Sequence, residues 1–324
     1  MSYPNILIAL EGFLLHMSAS GRSHYTIRNY KNQIGRLAKW IEDAAIDKIS
    51  SNDIDSFMKY LIEDYRITHI GTCPTKPRKL SKKTIYNAWG ALSSFWKWVE
   101  KEYQIINPFK VAPIKVHTKP VYPLKRDEVS RLVKACSFTN KEASDGNFYK
   151  SKRFTAIRDR AVLLMLLDTG VRSSELLGIN VNEIDFETGR IRVKGKGEKY
   201  RFVYLGRLSK QAIWKYVSSR FPKHSPPKDE PLFVNYSGIH RMTRSGLAIL
   251  IKRLGQTVSV ERVHPHRFRH TFAIEFLRNG GNVFELQQLL GHNDLAMVKR
   301  YVRLSQMDLE TSSRRASPAD NWRL

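Results

Sequence analysis

Apolar positions recur three and four residues apart through most of this chain, and that period predicts helices. Ile27, Tyr30, Ile34, Leu37, Trp40 and Ile41 mark one. Ser51 to Tyr65 marks another, opened by Ser51 or Asn52. Ile85, Trp89, Leu92, Phe95, Trp96 and Val99 share one face of a third. Between the last two, Arg66 to Leu80 carries Gly71, Pro74 and Pro77 and reads as a loop. Residues 1–110 therefore read as an all-helical domain. Val111 to Pro123, with three prolines and no period, reads as an extended, fairly stiff linker.

From residue 124 to 305 the pattern is mixed. Asp127 to Cys136 predicts a helix, followed by a polar loop through Arg153. Ala156 to Leu167 is apolar enough for a central buried helix, and Gly170 permits a sharp turn after it. Ser173 or Ser174 can start the next helix. Alternation takes over at Ile184 to Phe186, Arg190 to Val193 and Tyr200 to Leu205, which read as strands. A short strand at Leu232 to Asn235 and a basic helix over Thr243 to Leu254 follow. Pro265 suits a first helical turn, Phe268, Phe272, Ala273 and Phe276 give that helix its apolar side, and Asn279-Gly280-Gly281 ends it. Asn282 and Glu285 form a capping box for the next helix, with Leu286, Leu289 and Leu290 as its stripe and Gly291 as its stop. The class is mainly α in two domains, the second a mixed α/β domain with a small antiparallel sheet. Residues 306–324 remain as a tail.

Charge narrows the partner. The chain carries a formal +25 with a pI near 10.1, which points to a polyanion. Its 15 Phe, 14 Tyr and 6 Trp place that charge on folded surfaces rather than on a disordered basic tail. Up to residue 120 there are 18 basic and 10 acidic residues, and beyond it 37 and 20, so both domains are basic and both can grip one partner. Two cysteines are too few for a disulfide framework, which fits a reducing cytoplasm. The apolar stretch Ile6 to Met17 contains Glu11 and follows no basic residue, so it makes a poor signal peptide. No apolar run approaches membrane-spanning length.

Each candidate chemical residue has an ordinary reading when taken singly. Lys76, Arg78, Lys79, Lys82 and Lys83 form either a solvated loop or a phosphate contact ahead of a helix. Arg241 and Arg244 are further candidate DNA contacts beside the basic helix. Arg172 on its turn can be a structural ion pair with Glu175, and Lys196, between two glycines, a solvated hairpin tip. His266 and Arg269, three apart, can be helix-start residues, and Tyr301, after Lys299 and Arg300, a surface phenol. The His-rich run lacks Cys or carboxylate at zinc-ligand spacing. Together, however, Arg172, Lys196, His266, Arg269, His292 and Tyr301 supply guanidinium forks that match phosphodiester oxygens, a phenol able to hold phosphate covalently, and proton carriers. No acidic cluster for Mg²⁺ accompanies them. The set suits phosphoryl transfer through a phosphotyrosine with neither metal nor other cofactor.

The motifs TGVRSSELLGI, VKGKGEKYR, HPHRFRH, LLGHND and VKRYV, in this order, closely resemble those of the tyrosine recombinases, or phage integrases, and among them the Xer-like bacterial members. The resemblance extends over nearly the whole chain, since Thr26 to Trp40 and Ser81 to Pro108 look like the family's core-binding, SAM-like domain. Phe138 to Arg153 and the tail fit less well. The resemblance implies site-specific recombination through a 3′-phosphotyrosine. It casts Tyr301 as nucleophile, Arg172 and Arg269 as the phosphate clamp and Lys196 as general acid. His266 would assist the proton on Tyr301, His292 would bond a phosphate oxygen, and Glu175 would orient Arg172. It also implies duplex DNA with inverted half-sites as partner, a C-shaped grip on it, dimers and tetramers on DNA, tail exchange between protomers, and accessory DNA-bending proteins. The alternatives are a type IB topoisomerase and a non-catalytic DNA-binding regulator.

Overall fold

A computed structural model describes residues 3–70, 73–116, 122–142, 148–195, 199–291, 298, 301–302 and 317–322. The chain divides into two compact units, Met1–Lys119 and Pro120–Leu324.

In the first unit, α1 (Ile6–Ala19), α2 (His24–Trp40), α3 (Ser51–Glu63) and α4 (Lys82–Tyr103) pack around one core. Side-chain oxygens satisfy the exposed amides at three helix starts. Ser23 accepts from the Thr26 amide, Ser81 from that of Thr84, and Ser50 forms a reciprocal box with Asp53. The cap of α3 is thus Ser50, one residue ahead of the sequence expectation. α4 turns Ile85, Leu92, Phe95, Trp96 and Val99 inward, and Phe13 of α1 meets Phe95 edge-on with centroids 5.6 Å apart. The start of the expected linker lies against this unit. Val111 and Ile114 pack on its core, and the Trp89 indole donates to the Val111 carbonyl at 2.8 Å.

The segment read as a loop at Arg66 to Leu80 is an antiparallel ribbon, β1 (Arg66–Ile70) with β2 (Cys73–Lys79), bulged between Ile67 and His69. Pro74 and Pro77 are tolerated because each strand of a two-stranded ribbon has one side free of ladder bonds. The β-branched Ile67, Thr68 and Ile70 outweigh the breakers.

The second unit is built on α6 (Ala156–Thr169), which buries Ala161, Val162, Leu163, Met165 and Leu166. It packs against α5 (Arg126–Ala135), α8 (Arg207–Arg220) and α10 (Pro265–Arg278). The remaining helices are the short α7 (Ser173–Gly178), α9 (Arg244–Thr257), α11 (Val283–Leu290) and α12 (Pro318–Trp322). The hairpin β5 (Arg190–Lys194) with β6 (Tyr200–Tyr204) buries Ile191, Val193 and Val203 and turns Arg190, Arg192, Tyr200, Phe202 and Tyr204 outward. The polar loop expected after Cys136 contains a second hairpin, β3 (Phe138–Glu142) with β4 (Phe148–Lys152). Its polar sequence gives no buried face to read. Two expected strands shrink to single bridges: Ile184 pairs with Ile191, and Val234 with Arg241. Among the described residues no helix is long and apolar enough to cross a membrane.

α6 ends at Gly170, whose φ of 59° is left-handed. A Cβ built there would lie 2.3 Å from the Phe272 ring. Gly170→Ala should therefore cost about 3 kcal/mol, combining left-handed strain with overpacking. Gly238→Ala, at φ 77° with open space around it, should cost only about 1 kcal/mol. Urea unfolding of the two variants checks this, and equal losses would refute the contact with Phe272.

Candidate active site

The left-handed turn at Gly170 reverses the chain so that Arg172 becomes the N-cap of α7. One turn in, Glu175 reaches back to that cap. Its Oε2 accepts from the Arg172 amide at 2.7 Å and its Oε1 from Arg172 Nη1 at 2.8 Å. Arg269 projects from the second turn of α10 and is 3% exposed. It donates to the Gly170 carbonyl at 2.8 Å and to the Leu290 carbonyl at 2.7 Å. Arg172 also leans on the end of α11, 3.4 Å from the Leu290 and Gly291 carbonyls. These carbonyls lack partners within the helix, so guanidinium groups find them at the negative end of its dipole.

Arg201 enters from β6. Its Nη1 and Nη2 fork onto the two oxygens of Glu175 at 2.9 and 2.8 Å, and its Nε donates to the Leu289 carbonyl at 2.8 Å. Arg269 Nη1 lies 4.0 Å from the same carboxylate. Among the described residues, one buried acid thus sits among three guanidiniums. Burial works against the Glu175 charge, but the bonds and field of Arg201, then of Arg172, overcome it and hold the carboxyl at about 2. Burial and the neighbouring Arg172 lower Arg269 to about 10, still cationic at neutral pH. His266, on the first turn of α10, is shifted down by desolvation of its ring and by Arg269 and Arg172, which favours the neutral imidazole.

Tyr301 is 5% exposed and packs among Ala273, Leu277, Leu286, Leu290 and Val298. Its hydroxyl shares a 2.8 Å hydrogen bond with His270 Nδ1. The phenol also bears on the charge of Arg269, which places Tyr301 and Arg269 in one site. α11 starts at the Asn282–Glu285 box and stops at Gly291 in the left-handed region, as its sequence predicts, while Leu289 is only half-buried. The structure thus brings together Arg172, His266, Arg269 and Tyr301. Lys196 and His292 lie outside the described residues, though Gly195 at the hairpin turn and Gly291 at the helix end flank them.

Two contacting residues escaped the sequence reading. His270 was legible only as part of a His-rich run. Arg201 had a signal: period 2 along β6 puts it on the inward face with Val203, where an arginine needs a buried partner. Of the candidate DNA contacts, Lys76, Arg78, Lys79, Lys82, Lys83 and Arg244 are exposed on β2 and at the starts of α4 and α9. Arg241 is different. Its guanidinium donates to the Leu177 and Ile179 carbonyls and to Asn180 Oδ1 at 2.7, 3.1 and 2.6 Å, so its fork serves the fold around α7. Among the described residues no cluster of His, Cys, Asp or Glu could hold a metal ion.

The depressed Glu175 carboxyl makes a stability prediction. It titrates at about 2 when folded against 4.5 ordinarily, so its contribution, about 3 kcal/mol, is complete above pH ~5 and fades as pH falls through 4.5 towards 2. The stability gap between wild type and Glu175→Gln should narrow by about 2 kcal/mol from pH 5 to pH 3. Denaturant midpoints measure it, and a gap independent of pH would contradict the ion-pair account.

Comparison with known proteins accords with this geometry. Residues 122–307 match the phage integrase family, and residues 9–105 match the phage integrase N-terminal SAM-like domain. The chain is 28% identical over 308 residues to the tyrosine recombinase XerC of Oceanobacillus iheyensis, covering 92% of each chain. It is 29% identical to XerC of Thermodesulfovibrio yellowstonii, covering 93% of each. In fold it resembles the XerH site-specific recombinase bound to a palindromic difH substrate, with a TM-score of 0.71, 17% identity, and coverage of 99% of this chain and 100% of that one. The Tn1549 transposon integrase in complex with circular intermediate DNA is similar too, at a TM-score of 0.70 and 21% identity, covering 92% and 95%. With the phage integrase family's pattern matched over more than half of this chain, and a tyrosine in one site with a buried arginine, this chain belongs to the phage integrase family of tyrosine recombinases.

Proposed function

We propose that the chain recombines duplex DNA at specific sites by breaking and rejoining strands through Tyr301. The observation that carries this reading is the convergence of Arg172 and Arg269 on one buried acid beside the Tyr301 phenol, with positive charge left over. Tyr301 Oη bonds to phosphorus as the P–O5′ bond breaks, giving a 3′-phosphotyrosine and a 5′-hydroxyl. Arg172 and Arg269 hold the non-bridging oxygens as negative charge grows on them. The phenolic proton passes to His270 Nδ1, its 2.8 Å partner, with neutral His266 one turn away to carry it on. Lys196 protonates the leaving 5′-oxygen and His292 bonds a phosphate oxygen. The phosphotyrosine keeps the bond energy, so a 5′-hydroxyl from another strand reverses the step.

Both basic units would close around the duplex as domains 1–110 and 124–305 joined by residues 111–123, with Lys76, Arg78, Lys79, Lys82, Lys83 and Arg244 on phosphates. Two inverted half-sites would seat a dimer and two sites a tetramer, with accessory DNA-bending proteins, in the cytoplasm. Residues 306–324 would dock on a neighbouring protomer. A groove of about 700 Å³ lined by Phe272, Phe276 and Leu289 and by Asp168, Glu275 and Glu285 supports this, since the tail supplies Met307, Leu309, Arg314 and Arg315.

Incubation with a nicked half-site, followed by denaturing gel electrophoresis, tests the reading. Wild type should form a protease-sensitive adduct. Tyr301→Phe should form none, yet bind DNA within about threefold of wild type, because only one oxygen is lost. An adduct with the Phe variant would assign the nucleophile elsewhere. Plasmids carrying two sites should exchange strands, and relaxation without exchange would favour a topoisomerase.

A further inference from the structure

Arg201 joins three pieces of chain that are remote in sequence. Its own strand follows the turn that carries Lys196. Its fork holds Glu175 on α7, next to Arg172. Its Nε bonds the Leu289 carbonyl in the last turn of α11, just before Gly291 and His292. The packing at that end is close, for a Cβ on Gly291 would meet Arg201 Cδ, Nε and Nη1, each at 3.3 Å. The side chain is 13% exposed, so these bonds are shielded from water.

Charge decides what this arrangement does. A carboxylate with two free oxygens beside Arg172 and Arg269 would draw both forks onto itself, in competition with a phosphate. Arg201 fills both Glu175 oxygens with parallel bonds, a geometry that only a guanidinium provides. Among the described residues, three guanidiniums then stand around one carboxylate, an excess of positive charge beside the Tyr301 phenol. The pentavalent transition state of a phosphodiester carries about two negative charges, which that excess stabilises.

We propose that Arg201 is a positioning residue for strand cleavage: by holding both oxygens of Glu175 and tying it to the end of α11, it sets where Arg172 and Arg269 stand to clamp the scissile phosphate. It touches no reacting atom and acts through Glu175. The proposal rests on the cleavage reading above and adds to it a residue with a distinct role.

The test compares single-turnover cleavage at saturating half-site DNA with equilibrium affinity for the same DNA, using the full chain. Arg201→Met should cleave about a hundredfold more slowly, the size of loss that a small misplacement of a clamp brings, while its DNA affinity stays within about threefold. Arg201→Lys keeps the charge but loses the fork, and should remain at least tenfold slow. The decisive comparison is Arg201→Met made in a Glu175→Gln chain. If Arg201 acts through the Glu175 charge, the second substitution should cost less than tenfold beyond Glu175→Gln alone. A full hundredfold cost in that background would make Arg201 a structural prop and overturn the proposal, as would wild-type cleavage by Arg201→Lys. Should Arg201→Met lose DNA binding through misfolding, the lysine variant still decides: full activity refutes the proposal, and slow cleavage at unchanged affinity supports it. Absence of an adduct with wild type would instead sink the cleavage reading itself, and this proposal with it.

Discussion

Everything at this site depends on a carboxylate that cannot be left alone. Glu175 is 5% exposed, and an unpaired charge at that depth costs several kcal/mol. Its neighbours discharge that cost from three directions: the cap amide and side chain of Arg172, the fork of Arg201, and Arg269 at longer range. Each partner arrives on a different element, so satisfying one acid fixes α7, β6 and α10 relative to one another. A buried ion pair is weak evidence for net stability, since desolvation offsets most of the attraction. Its value here is geometric. The acid dictates where two further positive charges must stand.

The carbonyls at the end of α11 extend the same logic. Leu289, Leu290 and Gly291 present their oxygens at the end of α11, and Arg201, Arg269 and Arg172 take them up. That choice puts the exit of α11, and hence the approach to Tyr301, under the control of the arginines that would hold the phosphate. The phenol then packs under α10 with His270 on its oxygen. Tyr301, His270 and Arg269 are thus referred to one helix, α10, whose start is fixed by Pro265.

Much of this was legible in the sequence wherever the signal is local. The box at Asn282 and Glu285, the glycine stops and the apolar stripe of α4 follow from short-range rules, and the structure places each where the pattern puts it. The failures share a cause, which is that the deciding partner lies far along the chain. The ribbon Arg66–Lys79 was hidden because prolines mark a loop unless a neighbouring strand accommodates their missing amides. The hairpin β3–β4 was hidden because its sequence carries no regular apolar alternation. Arg201 and His270 sit among residues of their own kind, and only contacts 26 and 31 residues away distinguish them. Arg241 errs in the opposite direction: a basic residue beside a basic helix reads as a DNA contact, yet the fold consumes its fork.

The central claim is that Arg172 and Arg269 act on the charge of the scissile phosphate. Replacing one non-bridging oxygen with a methyl group removes that charge and leaves the bond to be broken in place. On ordinary DNA, Arg172→Ala and Arg269→Ala should each cleave about a hundredfold or more below wild type. On the methylphosphonate, with less charge to stabilise, each variant should come within about tenfold of wild type on the same substrate. An undiminished hundredfold deficit there would contradict the account, because the arginines would then be needed for something other than the charge they were proposed to hold.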